Sequence, residues 1–208
     1  MSTIEARTFD LEDGGTLVVR SAVEADAAAL LANLAEIREG PFHVTRPGEV
    51  EPSVEEERAW IAANRDEPGR IALVAEVDGR VVGLLDFRPG QRHRIRHRGA
   101  FGMSVIQAYR RRGIGDALVT ALLDWARGEP HIVKVCLAVY ADNHPAIRLY
   151  EKHGFLVEGR RAREILLDDG TYADDLMMCR FVDDRGGGQA SRGASGSPAV
   201  CPPPGDGV

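Results

Sequence analysis

The chain has 208 residues, 44 % of them apolar and 28 % charged, a composition that suits one globular domain with a substantial core and excludes a fibrous or wholly disordered protein. The net charge of −6 argues against nucleic acid as a partner and slightly favours small cationic ones. Three cysteines, Cys136, Cys179 and Cys201, lie far apart with no Cys-x-x-Cys pair, and the chain starts without a signal-like segment and has no apolar run near the ~20 residues of a membrane span, so it reads as a reduced, cytoplasmic protein with no disulfide framework and no metal site.

In chain order, residues 1–15 are polar, acidic and without period, and are expected to form a loose arm. Residues 16–20 make a first short strand, and 24–37, rich in Ala and Leu at helical spacing, a first helix. A loop with three prolines and two glycines follows over 39–52. Ser53-x-x-Glu56 has the form of a capping box and opens a second helix, with Trp60 and Ile61 on its apolar side. Two apolar runs, 71–77 and 81–87, are joined by Asp78-Gly79, a strong hairpin signal. Residues 92–98 carry four arginines and two histidines. This run reads as a solvated loop or as a contact for an anionic group.

Residues 99–105 are short, mostly apolar and bounded by breakers, which suits a strand. After Gly113 and Gly115, the residues Ile114, Ala117, Leu118, Ala121, Leu122 and Trp125 recur on one face of a helix. Between strand and helix sits Arg110-Arg111-Arg112-Gly113-Ile114-Gly115. A helix start offers free backbone N–H groups and the positive end of the helix dipole, glycines permit close approach, and arginines add charge; the loop reads as a cradle for a pyrophosphate. Taken alone, it reads equally as a strand–helix turn with solvated arginines. It is not a Walker A loop, since no Gly-Lys-Ser/Thr follows, and Leu118 stands where the dinucleotide fingerprint needs its third glycine.

Residues 133–140 alternate and form a buried strand, parallel to 99–105 because a helix connects the two. Pro145 and Gly154 delimit a short helix over 145–153. A closing hairpin spans 155–167 and 171–182. Residues 183–208, with Gly186-Gly187-Gly188 and Pro202-Pro203-Pro204, bury too little to offset the entropy of ordering and are expected to be disordered. The domain proper is therefore 16–182, and no internal repeat is evident.

Arg110-x-x-Gly113-x-Gly115, followed downstream by Asn143-His144-Pro145-Ala146-Ile147-Arg148-Leu149-Tyr150 and Gly154-Phe155, resembles the GCN5-related N-acetyltransferase (GNAT) family. The resemblance covers roughly residues 16–181. It implies an α/β (α+β) fold, with a mixed central sheet of about six to seven strands, about four helices and a splayed pair of parallel strands. It also implies acetyl-coenzyme A as acetyl donor, with no metal. Its pantetheine arm would lie along Met103, Ser104 and Val105, its pyrophosphate at Arg110, Arg111, Arg112, Gly113, Ile114, Gly115 and Asp116, and Asn143 would bond the pantetheine region. Asparagine is also a good cap for the helix that follows. Tyr150 would donate a proton to the departing thiolate, or else is a packed aromatic on a helix face. The first two helices and their loop would line the acceptor side, placing Glu36, Glu39, Phe42 and His43 near it. Gly170-x-Tyr172-x-Asp174 and Met178 loosely resemble the tail of acetyltransferases acting on protein N-termini or polyamines.

The implied reaction is acetyl transfer to a primary amine of a small molecule or a protein N-terminus, by a monomer or homodimer. A non-catalytic acyl-coenzyme A-binding module of the same fold is the alternative. The strand before the loop carries no acid, so a general base has no obvious owner: either a water relayed to Asp86, Glu76 or His97 serves, or the amine arrives already neutral.

Overall fold

The computed structural model describes residues 2–11, 13–46 and 48–183. The disordered tail expected from residue 183 onward lies, apart from Asp183, outside the described residues. Eight strands form one sheet in the order β1-β2-β3-β4-β5-β6-β8-β7. They are β1 (Arg7–Asp10), β2 (Thr16–Ser21), β3 (Ile71–Val77), β4 (Arg80–Pro89), β5 (Arg98–Val105), β6 (Lys134–Tyr140), β7 (Leu156–Leu166) and β8 (Tyr172–Phe181). Four helices accompany them: α1 (Ala27–Arg38), α2 (Val54–Asp66), α3 (Ile114–Gly128) and α4 (His144–Lys152). Neighbouring strands run antiparallel except β5 and β6.

The sheet has one strand more than the expected six to seven, and it comes from the arm expected to be loose. Arg7–Asp10 pairs with β2 from Arg7↔Val19 to Asp10↔Thr16. Phe9 packs on the core and Arg7 reaches Asp124 on α3 at 2.6 Å. Four residues are too few to show a period, so the Gly14-Gly15 turn that folds them back on β2 has no recognisable strand before it.

The local signals elsewhere correspond to real devices. Asp78 and Gly79 both have positive φ, 49° and 84°, as a two-residue hairpin turn with the twist of its strands requires. Ser53 caps α2 reciprocally: its hydroxyl accepts from the Glu56 N–H at 3.2 Å, and the Glu56 carboxylate accepts from the Ser53 N–H at 2.7 Å.

The two faces of the sheet are covered unequally. On one face, α3 buries Ile114, Ala117, Leu118, Ala121, Leu122 and Trp125. Trp125 meets Phe87 of β4 edge to face, with ring centroids 5.5 Å apart. Each fully buried leucine in this layer contributes roughly 1.5–3 kcal/mol. On the other face, Leu30 of α1 and Ile61 of α2 pack on Ala72, Val74 and Val81. β3 is thus buried on both sides, which is why it reads as an unbroken apolar run rather than an alternating one.

Candidate active site

The site begins with a defect in the sheet. β5 and β6 pair only at Arg98↔Lys134, Gly99↔Val135 and Ala100↔Cys136. Beyond that, β5 continues beside β4 as far as Gly83↔Val105, and β6 continues beside β8 as far as Tyr140↔Asp175. A wedge therefore opens between the two strands that run parallel among the described residues. The bonds Ile106 N–H to Val82 O and Gly90 N–H to Arg98 O set the alternation along β5. Ala100, Gly102 and Ser104 spend their backbone groups on β4, whereas Phe101, Met103 and Val105 turn theirs into the wedge. Of the three residues expected to offer backbone groups to a ligand, Met103 faces both of its groups into the wedge, and Val105 faces its N–H there while its carbonyl accepts from Arg110 Nε. Ser104 offers neither, and its side chain lies on the α1/α2 face opposite Leu84.

The loop between β5 and α3 holds the second element. Arg111 and Gly113 have left-handed φ of 63° and 80°, which folds the chain back so that Gly113 caps α3. No side chain caps this end, and the first bond of the helix runs from Ala117 N–H to Gly113 O. The N–H groups of Ile114, Gly115 and Asp116 are left pointing out of the helix start, the arrangement that attracts a phosphate. The two glycines do different work. Gly113 adopts the left-handed conformation, whereas a Cβ on Gly115 would lie 3.0 Å from Leu149 Cδ2 and 3.4 Å from Met103 Cε. Gly115 therefore lets the helix start close on α4 and β5.

The three arginines separate. Arg112 is bound to Asp13 at 2.5 Å and lies over the Tyr109 ring at 5.1 Å. That contact holds the Asp13 carboxyl below its ordinary range, chiefly through the hydrogen bond from Arg112. Arg110 donates from Nε to Val105 O at 2.9 Å. Arg111 is exposed and has no ion-pair partner among the described residues. Asp116 is also committed: it bridges Lys152 at 2.5 Å and His153 at 3.0 Å, tying the first turn of α3 to the end of α4. Its carboxylate is a fastener between helices rather than a group facing an anion. A cavity of about 430 Å³ lies beside this helix start, bordered by Asp13, Arg111, Arg112, Asp116 and Thr120.

α4 brings in the remaining candidates. Asn143 Oδ1 accepts from the Ala146 N–H at 3.3 Å, so it is the helix cap. Tyr150 is 7 % exposed, and its ring stands edge-on to Phe101 at 5.8 Å and to Phe155 at 6.0 Å. It thus lies directly against a wedge-facing residue of β5. Its hydroxyl has no hydrogen-bond partner among the described residues, and burial pushes its pKa up to about 12.

The opposite face presents different groups. The loop after α1 docks on the end of β6, where Phe42 meets the Tyr140 ring at 5.5 Å and Tyr140 Oη donates to His43 O at 3.1 Å. Asp86 of β4 faces Gly102, whose missing Cβ would lie 3.3 Å from Asp86 Oδ1. Arg88 pairs with it at 3.0 Å. Burial nevertheless raises the Asp86 carboxyl above its ordinary range, and burial together with the Asp86 charge raises that of Glu57. The other candidate bases fall away. Glu76 is held by Arg20 at 2.9 Å. His97 precedes the first residue of β5, at the closed end of the wedge, about 20 Å of strand from Met103. The arginine-rich run 92–98 shares that remote end and has no access to the start of α3. The tail residues are structural as well: Met178 is in the core and Asp174 pairs with Arg160 at 2.7 Å. Asp86 is one of three candidates in the sequence, and what sets it apart, its burial opposite Gly102, follows from strand register and packing.

Among the described residues, no group of three or more His, Cys, Asp or Glu side chains is placed to hold a metal ion, and no helix is long and apolar enough to cross a membrane.

Comparison with known proteins agrees with this geometry. The model of the acetyltransferase (GNAT) family matches residues 31–155. The L-amino acid N-acetyltransferase AaaT of Escherichia coli (strain K12) is 36 % identical over 121 residues, covering 58 % of this chain and 74 % of that protein. The crystal structure of an acetyltransferase of the GNAT family from Streptococcus pneumoniae superposes with a TM-score of 0.76 at 27 % identity, covering 80 % of this chain and 99 % of that one. The structure of yncA from Salmonella typhimurium with its cofactor acetyl-CoA superposes with a TM-score of 0.72, over 89 % of this chain and 99 % of that one. At 22 % identity that likeness speaks for the fold alone.

Proposed function

The chain belongs to the acetyltransferase (GNAT) family and is an acetyl-coenzyme A-dependent N-acetyltransferase, and from that premise we propose that it acetylates the primary amine of a small molecule of amino-acid type, with Tyr150 as the proton donor to the leaving sulfur. The observation that carries the reading is the wedge: an open strand edge, an uncapped helix start and an unpartnered tyrosine hydroxyl converge on one side of β5. The residues present fit the donor. The Ile114, Gly115 and Asp116 N–H groups, with Arg111, suit its pyrophosphate, and the wedge-facing groups of Met103 and Val105 suit the amides of its pantetheine arm as a neighbouring strand would.

Acetyl-coenzyme A supplies the acetyl group as a thioester; the chain supplies position and proton traffic. A wedge-facing N–H of β5 toward Phe101, where Tyr150 stands, would polarise the thioester carbonyl in the way oxyanion donors do. Tyr150 keeps its proton well above neutral pH, so its hydroxyl is a donor, and the sulfur that leaves as thiolate is the base it would meet. Asp86, opposite Gly102 on the α1/α2 face, would receive the ammonium group of the acceptor and take its proton. Arg88 beside it would receive the carboxylate of an α-amino acid. The name of the relative AaaT supports an amino acid as acceptor.

Thiol release from acetyl-coenzyme A tests this against a panel of L-amino acids, polyamines, aminoglycosides and peptides with free N-termini. Release that depends on amino acids is expected. Release with polyamines or peptides alone overturns the acceptor assignment and leaves the acetyl transfer.

A further inference from the structure

Cys136 and Cys179 are 43 residues apart in sequence but directly opposite each other in the sheet. Backbone bonds from Val182 N–H to Val133 O and from Ala141 N–H to Asp174 O fix which pairs along β6 and β8 are hydrogen-bonded. By alternation, Cys136↔Cys179 is a non-bonded pair. At such a pair the Cα atoms stand about 4.5 Å apart and the side chains lean toward each other, within the span a disulfide bridges without moving the strands. Both cysteines are free thiols.

Their surroundings are charged on one side and open on the other. Lys134, on the same face of β6, is bonded to Glu158 at 2.6 Å, and Arg98 stands beside Lys134 across the β5–β6 pairing. The two thiols interact with each other. Cys179 stabilises the Cys136 thiolate by hydrogen bonding, Lys134 adds charge, and the Cys136 thiol is more acidic than usual. Cys179 is held in the thiol form, first by Cys136 and then by burial and by Glu158. Leu156, opposite Cys179 on the sheet edge, is 74 % exposed, and the β7–β8 register slips between Val157 and Gly159. The pair is buried under an irregular edge strand, the kind of element that opens locally before the core does.

We propose that Cys136 and Cys179 form a reversible thiol–disulfide site for low-molecular-weight disulfides. The Cys136 thiolate attacks one sulfur of the disulfide RSSR. A Cys136–S–S–R bond forms, the RS–SR bond breaks, and RS⁻ leaves to take a proton from water. Cys179 then loses its proton to solvent and attacks Cys136 Sγ. The cross-strand disulfide forms and the second RS⁻ departs, to be protonated in turn. The small disulfide is reduced by two electrons to two thiols, and the protein pair is oxidised by two electrons. A small dithiol reverses both steps.

The site is independent of acetyl transfer and of the acceptor assignment. Its test uses the full chain with Cys201→Ser, so that the third cysteine takes no part. Folded protein is incubated with oxidised glutathione, then denatured, alkylated and digested. The expected result is loss of both thiols together, with the peptide bearing Cys136 joined to the peptide bearing Cys179, and full recovery of both thiols in dithiothreitol. In a Cys179→Ser variant, Cys136 should stop at the glutathione mixed disulfide. Two outcomes overturn the proposal: both thiols persist in the folded chain under conditions that oxidise the denatured one, or glutathione accumulates on Cys179 while Cys136 stays free. The mapping on the Cys201→Ser chain decides the matter even if the Cys179→Ser variant does not fold.

Discussion

Asp13 and Arg112 form an ion pair of 2.5 Å that ties the turn after β1 to the loop opening α3. One of the three loop arginines is therefore a strut, and another, Arg111, has no ion-pair partner among the described residues. Arg111→Ala is expected to raise the KM for acetyl-coenzyme A several-fold and leave the melting temperature unchanged. Arg112→Ala should lower the melting temperature, because the guanidinium also covers Tyr109, and Asp13→Ala should move it in the same direction by less. Steady-state kinetics and thermal unfolding on the three variants separate the two roles; equal KM effects at Arg111 and Arg112 would contradict them.

Gly115 sits where a methyl group would press on Leu149. Gly115→Ala should cost about 1–3 kcal/mol in denaturant unfolding, the usual penalty for overpacking. A second change, Leu149→Ala, should return part of it by making room. At Gly113 nothing lies within 4 Å, so Gly113→Ala is penalised through its left-handed φ, by about 1 kcal/mol. A Leu149→Ala change should not rescue that variant.

Tyr150→Phe keeps the ring contacts to Phe101 and Phe155 and removes only the hydroxyl. Stability and acetyl-coenzyme A affinity should be nearly unchanged, while kcat falls by about 10²-fold or more, the usual scale of a lost proton donor. Full turnover in this variant would remove Tyr150 from the chemistry. Because burial lifts its pKa to about 12, no limb of the wild-type pH–rate profile below pH 10 should belong to it.

Asp86 predicts opposite effects on activity and stability. Its carboxyl is raised by burial, so the folded chain binds that proton more tightly than the unfolded chain does. The resulting contribution favours folding at low pH and is lost as pH rises through the folded pKa. Asp86→Asn should therefore melt above wild type at pH 7, with the two converging below about pH 3.9, the ordinary value for an aspartate. The same variant should lose acetyl transfer and the acid limb of its kcat/KM profile. A variant with an unaltered profile would show that the proton leaves by another route.

The sequence by itself determined the local devices: the Ser53–Glu56 capping box, the Asp78-Gly79 turn, the apolar stripe of α3 and the glycine loop before it. Each depends on residues within a few positions of one another, so spacing and side-chain chemistry suffice. Only the tertiary structure decided which groups those devices leave available. The side chains of Arg112 and Asp116 are engaged by Asp13 and by Lys152 and His153, which leaves Asp116 only its backbone N–H at the helix start. Ser104 stands among wedge residues, but strand alternation turns its backbone to β4. His97 looks like a base, yet it lies at the closed end of the wedge. Cys136 and Cys179 look unrelated and face each other. In every case the deciding partner comes from a distant part of the chain or from strand register, and neither is encoded in local spacing. Hydrogen-bond alternation and burial across the sheet select the partners, and they exist only once the strands have paired.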